Sequence, residues 1–358
     1  MKKFLTRVPL VLATSSCMVM TIAGCGGGEA ADGGATGEAK SIAFLMPDNA
    51  STRYELFDRP LFEARMKELC ADCEVIYSNA DSSASKQQEQ ANSAIAQGVD
   101  AIVIDPVDSA AAATIVNSAQ SQDIPIIAYD RPIPDMPADY YVSFDNEAIG
   151  AKIAQSLVDH LTEIGAEGGL LQVNGSPTDA AAGLIKEGIH SSIDSSDFEL
   201  LAEFDTPGWD PTEAQNWVSG QITQFGPDIA GVVAANDGTA GGAIAAFKAA
   251  GVAELPPVTG NDAELAALQR IVAVDQYNTI SKPIKTVAEA AAEVAYRFAS
   301  GETVEGKTTL FDTPSELFEP TVVTLENFKE VIIDGGVATV EEICTPTYAA
   351  DCAAAGIE

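Results

Sequence analysis

Basic residues are scarce in this chain: 19 lysines and arginines stand against 53 aspartates and glutamates, a formal charge of −34 over 358 residues. Such a surface lacks the basic footprint that phosphate recognition needs, so nucleic acid is excluded as a partner and an anionic substrate is poorly served. The excess of one sign reads instead as solvation that keeps an exported protein soluble. Histidine is nearly absent. The only two, His160 and His190, fall on polar or boundary faces of predicted helices without a nucleophile in motif context, so catalysis finds little support. The stretch DNASTRYELFDR lacks the glycine and terminal glutamate of a calcium loop, and no metal site is expected. No GxGxxG or Walker spacing surrounds Gly241-Gly242, which reads as close helix packing, and no cofactor is expected.

What is present begins with an address. Lys2, Lys3 and Arg7 precede the apolar run VPLVLATSSCMVMTIAG, the n-region and h-region of a secretory signal. The run ends in Thr21-Ile22-Ala23-Gly24-Cys25, which resembles the lipobox of bacterial lipoproteins, with Cys25 as the lipidated residue; a plain signal cut near Ala23 or Gly24 is the alternative. Residues 1–24 are therefore expected as signal peptide. Residues 25–40, rich in glycine, alanine and acid, are expected as a flexible tether. Cys17 leaves with the signal, and Cys70, Cys73, Cys344 and Cys352 remain as two local pairs, read as disulfides in an oxidising compartment. A zinc site or a redox CxxC is the lesser reading, since the second pair lacks ligand spacing and no flanking motif marks a redox enzyme.

From residue 41 apolar runs alternate with helical periodicity in the βα manner. Strands are expected at 41–47, 73–80, 100–107, 124–130 and 140–146, with helices at 56–70, 84–97 and 109–121. The pattern then restarts with helices at 147–161, 180–193, 211–225, 239–250 and 263–270, and strands at 168–175, 198–205, 229–237, 256–262 and 271–278. A helix at 283–300, the runs TTLFDT and PTVVTL, and a short helix near 326–334 complete the chain. The fold class is α/β, two doubly wound parallel-sheet (Rossmann-like) domains between which the chain crosses three times. The expected lobes are 41–144 with about 283–312, and 145–282 with about 313–340; residues 341–358 form a disulfide-pinned tail. In such sheets ligands bind at the carboxyl ends of strands, where IPIIAYDRPI places Asp130 and Arg131.

The motifs YDR (129–131), SFDNE (143–147), NGSPTD (174–179), GW (208–209), NDGTAGGAI (236–244), GNDAEL (260–265) and SKPI (281–284) resemble the ribose-type, type I sugar-binding proteins of ABC importers, and most of all their D-xylose-binding branch. The resemblance spans residues 41 to about 334. It implies a monomeric, extracytoplasmic, membrane-anchored receptor, not an enzyme, whose partners are a monosaccharide and ABC permease subunits. It implies ligand contacts from Arg53, Tyr54, Asp130 and Arg131 on one side of a cleft and Asp179, Trp209, Asn236 and Asp262 on the other, with Lys282 at the hinge. Tyr54 stands where tryptophan is usual in that pattern. Ala180 to Ala182 stand where asparagines are usual, so the sugar is open among xylose, ribose, arabinose, galactose and a furanose signal. The effector domain of a sugar-responsive regulator shares the fold, but a signal sequence replaces the helix-turn-helix head.

Several of these residues have plainer alternatives. Trp209 can pack on a core beside a helix cap, Lys282 can be solvated at a helix start, Tyr54 can be core filler, and one of Asn236 and Asp237 can be no more than an N-cap. The anchor is tested by membrane partition: made in a host that processes lipoproteins, the protein should fractionate with membranes, and Cys25→Ser should release it or stall cleavage. Recovery of the unaltered chain as a lipid-free soluble species contradicts the lipobox.

Overall fold

The computed structural model describes residues 39–49 and 51–357. The expected signal peptide, Cys25 and the tether as far as residue 38 lie outside the described residues. The chain enters a parallel sheet through β1 (Ser41–Met46), β2 (Glu74–Asn79), β3 (Ala101–Ile104), β4 (Ile126–Tyr129) and β5 (Tyr140–Phe144), with α1 (Arg59–Leu69), α2 (Ala84–Gln97) and α3 (Ala112–Gln120) between them. The strands β1, β3, β4 and β5 are almost wholly buried apolar runs, as a sheet covered on both faces requires. A single π-type turn, Tyr54–Asp58, precedes α1 where one continuous helix was expected from residue 56.

The second set follows: α4 (Asn146–Glu163), β6 (Gly169–Asn174), α5 (Ala180–Ile193), β7 (Glu199–Asp205), α6 (Pro211–Phe225), β8 (Ile229–Ala234), α7 (Asp237–Ala249), α8 (Leu265–Val272) and β9 (Asn278–Ser281). Four of its helices begin at side-chain caps, Asp145, Asp179, Asp210 and Asn236, each accepting a backbone N–H of the first turn. The chain returns to the first sheet with α9 (Ile284–Ala299), β10 (Thr308–Leu310) and β11 (Thr313–Phe318), then goes back with β12 (Thr321–Thr324), α10 (Val340–Ile343) and α11 (Ala349–Ala354). The first lobe is one seven-stranded sheet, ordered β10-β11-β5-β4-β3-β1-β2. The second carries β7-β6-β8 and the pair β12-β9, bridged through Val258, which pairs with Val232. Three crossings, after β5, β9 and β11, join the two lobes, the arrangement that the resemblance to type I sugar-binding proteins implied.

Three expectations are corrected. The apolar run 271–278 is not a strand: Ile271 and Val272 finish α8 and pack with Leu268, Phe328 and Ile332, so β9 starts only at Asn278. Residues 256–262 contribute one bridge at Val258, because the chain must bend to present 260–264 at the lobe's edge. Residues 313–318, expected in the second lobe, pair in parallel with β5 in the first, so the third crossing falls after Phe318. Disulfides join Cys70 to Cys73 and Cys344 to Cys352, the latter beside a cluster with Ile343 and Ile357. Gly242 sits so close to Pro211 that a Cβ would meet its carbonyl oxygen at 2.2 Å, which explains this glycine by packing of α7 on α6, whereas a Cβ at Gly241 would stand 3.2 Å from Arg270 Nη1.

The tightest seam in the second lobe joins α4 and α5. A Cβ at Gly150 would lie 1.9 Å from the Ile185 carbonyl oxygen, and one at Gly188 would lie 2.0 Å from that of Glu147. Gly150→Ala should therefore force the helices apart and lower stability by roughly 1 to 3 kcal/mol. A melting temperature equal to that of the unaltered protein would contradict this seam.

Candidate functional site

The first lobe presents its residues at strand carboxyl ends. Arg53 reaches Asp58 with two hydrogen bonds, Nε to Oδ2 at 3.2 Å and Nη2 to Oδ1 at 3.1 Å, and lies 3.3 Å from Asp130 Oδ2. Asp130 follows β4 at φ 60°, a left-handed conformation that costs a non-glycine residue about 1 to 3 kcal/mol. Its backbone is held there, N–H to the Val142 carbonyl and C=O from the hydroxyls of Tyr141 and Ser143, both at 2.8 Å. Burial works to raise the Asp130 carboxyl, yet Arg53, Lys282 and Arg131 together hold it below the ordinary carboxylate value.

Arg131 is the centre of charge. It is 8 % exposed and donates from Nη1 to the Pro106 carbonyl at 3.1 Å and from Nη2 to the Tyr54 hydroxyl at 3.2 Å. Asp48 and Asp105 face it at 3.4 Å from the first lobe, and Asp179 faces its Nε at 3.2 Å from the second. Burial, with the other cleft carboxylates, raises the Asp105 and Asp179 carboxyls against the pull of Arg131. Tyr54 is thus buried, as core filler would be, but its hydroxyl belongs to the charged network.

The second lobe answers with fewer cations. Asp179 caps α5 through the Ala181 N–H at 2.8 Å and accepts the Trp209 indole N–H at 3.0 Å. Gly208 at φ 60° turns the chain so that the Trp209 ring lies over Gly175, where a Cβ would be 2.1 Å from it. Asn236, and not Asp237, is the N-cap of α7, its Oδ1 accepting the Thr239 N–H at 2.9 Å, and it also lines the cleft. Asp262 stands at φ 108° and pairs with Lys282 at 2.7 Å. Lys282 is 8 % exposed, so it is not a solvated helix-start residue.

All nine residues expected to meet a ligand line one cleft between the lobes. The sequence reading missed Asp48, Asn146 and Glu264, which line it too, and Asp58 and Asp105, which hold the arginines from behind. Asp48 and Asp105 follow buried strands just as Asp130 does, and that strand-end position was the available signal. His160 stacks on Tyr277 and His190 pairs with Glu203, both away from the cleft lining. The lobes also touch beyond the charges: the Ser109 N–H donates to the Thr178 carbonyl at 3.0 Å, and the Ala180 N–H to the Ser109 hydroxyl at 3.1 Å. No helix among the described residues is long and apolar enough to cross a membrane.

The family model of the periplasmic binding protein domain matches residues 42–303, and the chain belongs to that family. It is 35% identical over 287 residues to the D-xylose-binding periplasmic protein of Escherichia coli (strain K12), covering 78% of this chain and 85% of that one. To the D-xylose-binding periplasmic protein of Haemophilus influenzae it is 33% identical over 294 residues, 80% and 87% of the two chains. A solved ABC transporter solute-binding protein from Clostridium phytofermentans, with bound β-D-glucose, matches at a TM-score of 0.76 and 28% identity, over 85% of this chain and 100% of that one.

Glu264 carries no ion pair among the described residues, and burial and the neighbouring Asp262 push its carboxyl up to about 7. An ordinary carboxyl titrates near about 4. Across that interval the folded chain keeps a proton that the unfolded chain has lost, so this contribution to stability is present below about 4 and lost as pH rises through 7. Melting curves of wild type and Glu264→Gln should diverge across this interval, with the wild type falling faster as pH rises; parallel curves would contradict the placement of this carboxyl.

Proposed function

We propose that the protein is an extracytoplasmic receptor, anchored through Cys25, that captures a monosaccharide between its lobes and presents it to an ABC importer. D-xylose is the ligand we put first. The observation that carries this reading is the meeting of Arg131 and Asp179 across the cleft at 3.2 Å, with the Trp209 indole held on the same aspartate. Vicinal hydroxyls need forked donors and paired acceptors, and a sugar's C–H face needs an aromatic ring. The cleft supplies Arg53, Arg131 and Lys282 as donors, Asp130, Asp179 and Asp262 as acceptors, Asn236 as both, and Trp209 as the ring.

Support for xylose comes from the two relatives whose names carry that sugar and from the order of the motifs named above. Ala181, which stands where the xylose-like pattern has a polar residue, supports the second choice, another monosaccharide such as ribose, arabinose, galactose or a furanose. Ligand transfer rather than chemistry is the reading throughout, with Lys282 and the three crossings acting as the hinge at which the lobes close.

A thermal-shift panel of monosaccharides names the ligand, because a sugar that binds only the folded state raises the melting temperature. Calorimetric titration of variants then places it. Asp262→Ala leaves Lys282 buried without its partner and should cost about 2 to 4 kcal/mol of binding, at least tenfold in affinity. Trp209→Ala should weaken binding as well. Wild-type affinity in the Asp262 variant, with a native circular-dichroism melt, would place the sugar elsewhere.

A further inference from the structure

We propose that Asp237 is a positioning residue for the sugar site, its buried carboxyl holding the loop 260–264 in the strained form that delivers Asp262 into the cleft. The proposal takes the nature of the ligand from the reading above, whereas the conformation of the loop is independent of it. Asp237 is 1 % exposed and does not line the cleft. It nevertheless engages the loop along its length. Its N–H donates to the Asn261 carbonyl at 2.9 Å, and its Oδ2 accepts the Glu264 N–H at 2.9 Å. A Cβ at Gly260 would stand 2.1 Å from Oδ1, so only glycine lets the loop start this close.

The carboxyl is gripped from behind. Gln276 Nε2 meets Oδ1 at 2.8 Å, and Thr279 Oγ1 lies 2.9 and 3.0 Å from the two oxygens. The same Thr279 oxygen accepts the Ala263 N–H at 3.1 Å, which ties a further residue of the loop to this hub. Between the tied residues the backbone is forced left-handed, at φ 108° for Asp262 and 51° for Ala263, both non-glycine. Such conformations persist only where the surroundings over-determine them. Asp237 supplies that over-determination on both sides of Asp262.

The charges around Asp237 fix its protonation. Asp262 and Glu264 face it from the loop, Arg270 from α8 donates to its carbonyl at 2.8 Å, and Gln276 and Thr279 are neutral. Burial first, then Glu264 and Asp262, push its carboxyl up to about 8 against Arg270. Near neutral pH it is a neutral acid whose oxygens accept from Gln276, the Glu264 N–H and the Thr279 hydroxyl. Ionisation places a third negative group against Asp262 and Glu264. The loop should therefore loosen as pH rises through 8.

The test is hydrogen–deuterium exchange of the Ala263 and Glu264 amides, without sugar, in wild type, Asp237→Asn and Thr279→Val. In Asp237→Asn the new side chain sets an amide N–H against the Gln276 donor, and in Thr279→Val both bonds to the carboxyl are removed together with the acceptor of the Ala263 N–H, so the Glu264 amide is the one read in that variant. Protection factors of these two amides should fall at least tenfold in Asp237→Asn, and that of Glu264 should fall by less in Thr279→Val, while first-lobe strands keep theirs. Wild-type protection should drop between pH 7 and 9, and the asparagine variant should show no such drop, which a purely structural role would not produce. Affinity for the sugar found by the panel should fall at least tenfold. Unchanged protection in a folded Asp237→Asn overturns the proposal. If that variant does not fold, unchanged protection of the Glu264 amide in Thr279→Val overturns it. A wild type that binds no monosaccharide defeats the functional reading alone, since the exchange measurement still decides what holds the loop.

Discussion

One buried guanidinium facing carboxylates from two lobes is the constraint on which this molecule turns. Arg131 stands against Asp48 and Asp105 in its own lobe and Asp179 in the other. Among the described residues neither oxygen of Asp105 makes a hydrogen bond, so its burial is offset by charge alone, chiefly that of Arg131 with Arg53 adding to it. Taking two such charges out of water is costly unless their remaining lone pairs and protons are used. Asp105 lies behind the cleft, so the acids facing Arg131 that a ligand can meet are Asp48 and Asp179, which line it. An apolar core would hold the lobes together more cheaply, but it would not let them part.

The rest of the architecture places groups around that centre at a cost in backbone strain. Asp130, Trp209 and Asp262 all sit at positive φ, and each is fixed by neighbours that do not touch the cleft themselves: Tyr141 and Ser143 for Asp130, Thr206 for Trp209, Ile280 for Asp262. The parallel sheets provide the rigid strand ends from which these short turns spring. Acid predominates in the cleft as it does over the whole chain. With Arg53, Arg131 and Lys282 as the cations that line it, several carboxyls are pushed upward by burial and by one another.

Much of this was legible in the sequence because parallel sheets write themselves as buried runs with polar residues at one end. The run IPIIAYDRPI shows both the strand and the pair that follows it, and helices α2, α5 and α6 begin and end where their caps and periodicity say. What was not legible depends on contacts distant in sequence. The run IVAV reads as a strand until Phe328 and Ile332 are seen to pack on it as a helix. The strand TPSELF is short and polar, and only pairing with β5 and β10 makes it one. Asp58 looks like an ordinary surface acid, since nothing local says that a tyrosine hydroxyl from β4 will meet it, and the strand-end position of Asp105 does not say that an arginine 26 residues downstream will face it. Asn236 shows the converse: the N-cap and the cleft residue are the same side chain, so the plain reading and the functional one did not compete.

The central claim is that the two lobes are brought together by a ligand that satisfies the charged groups between them. Small-angle X-ray scattering of the protein alone and with saturating D-xylose, or whichever monosaccharide raises its melting temperature, tests this most directly. The radius of gyration should be smaller with the sugar, as the lobes close about the three crossings. Superimposable curves, measured where calorimetry shows the site to be filled, would contradict it.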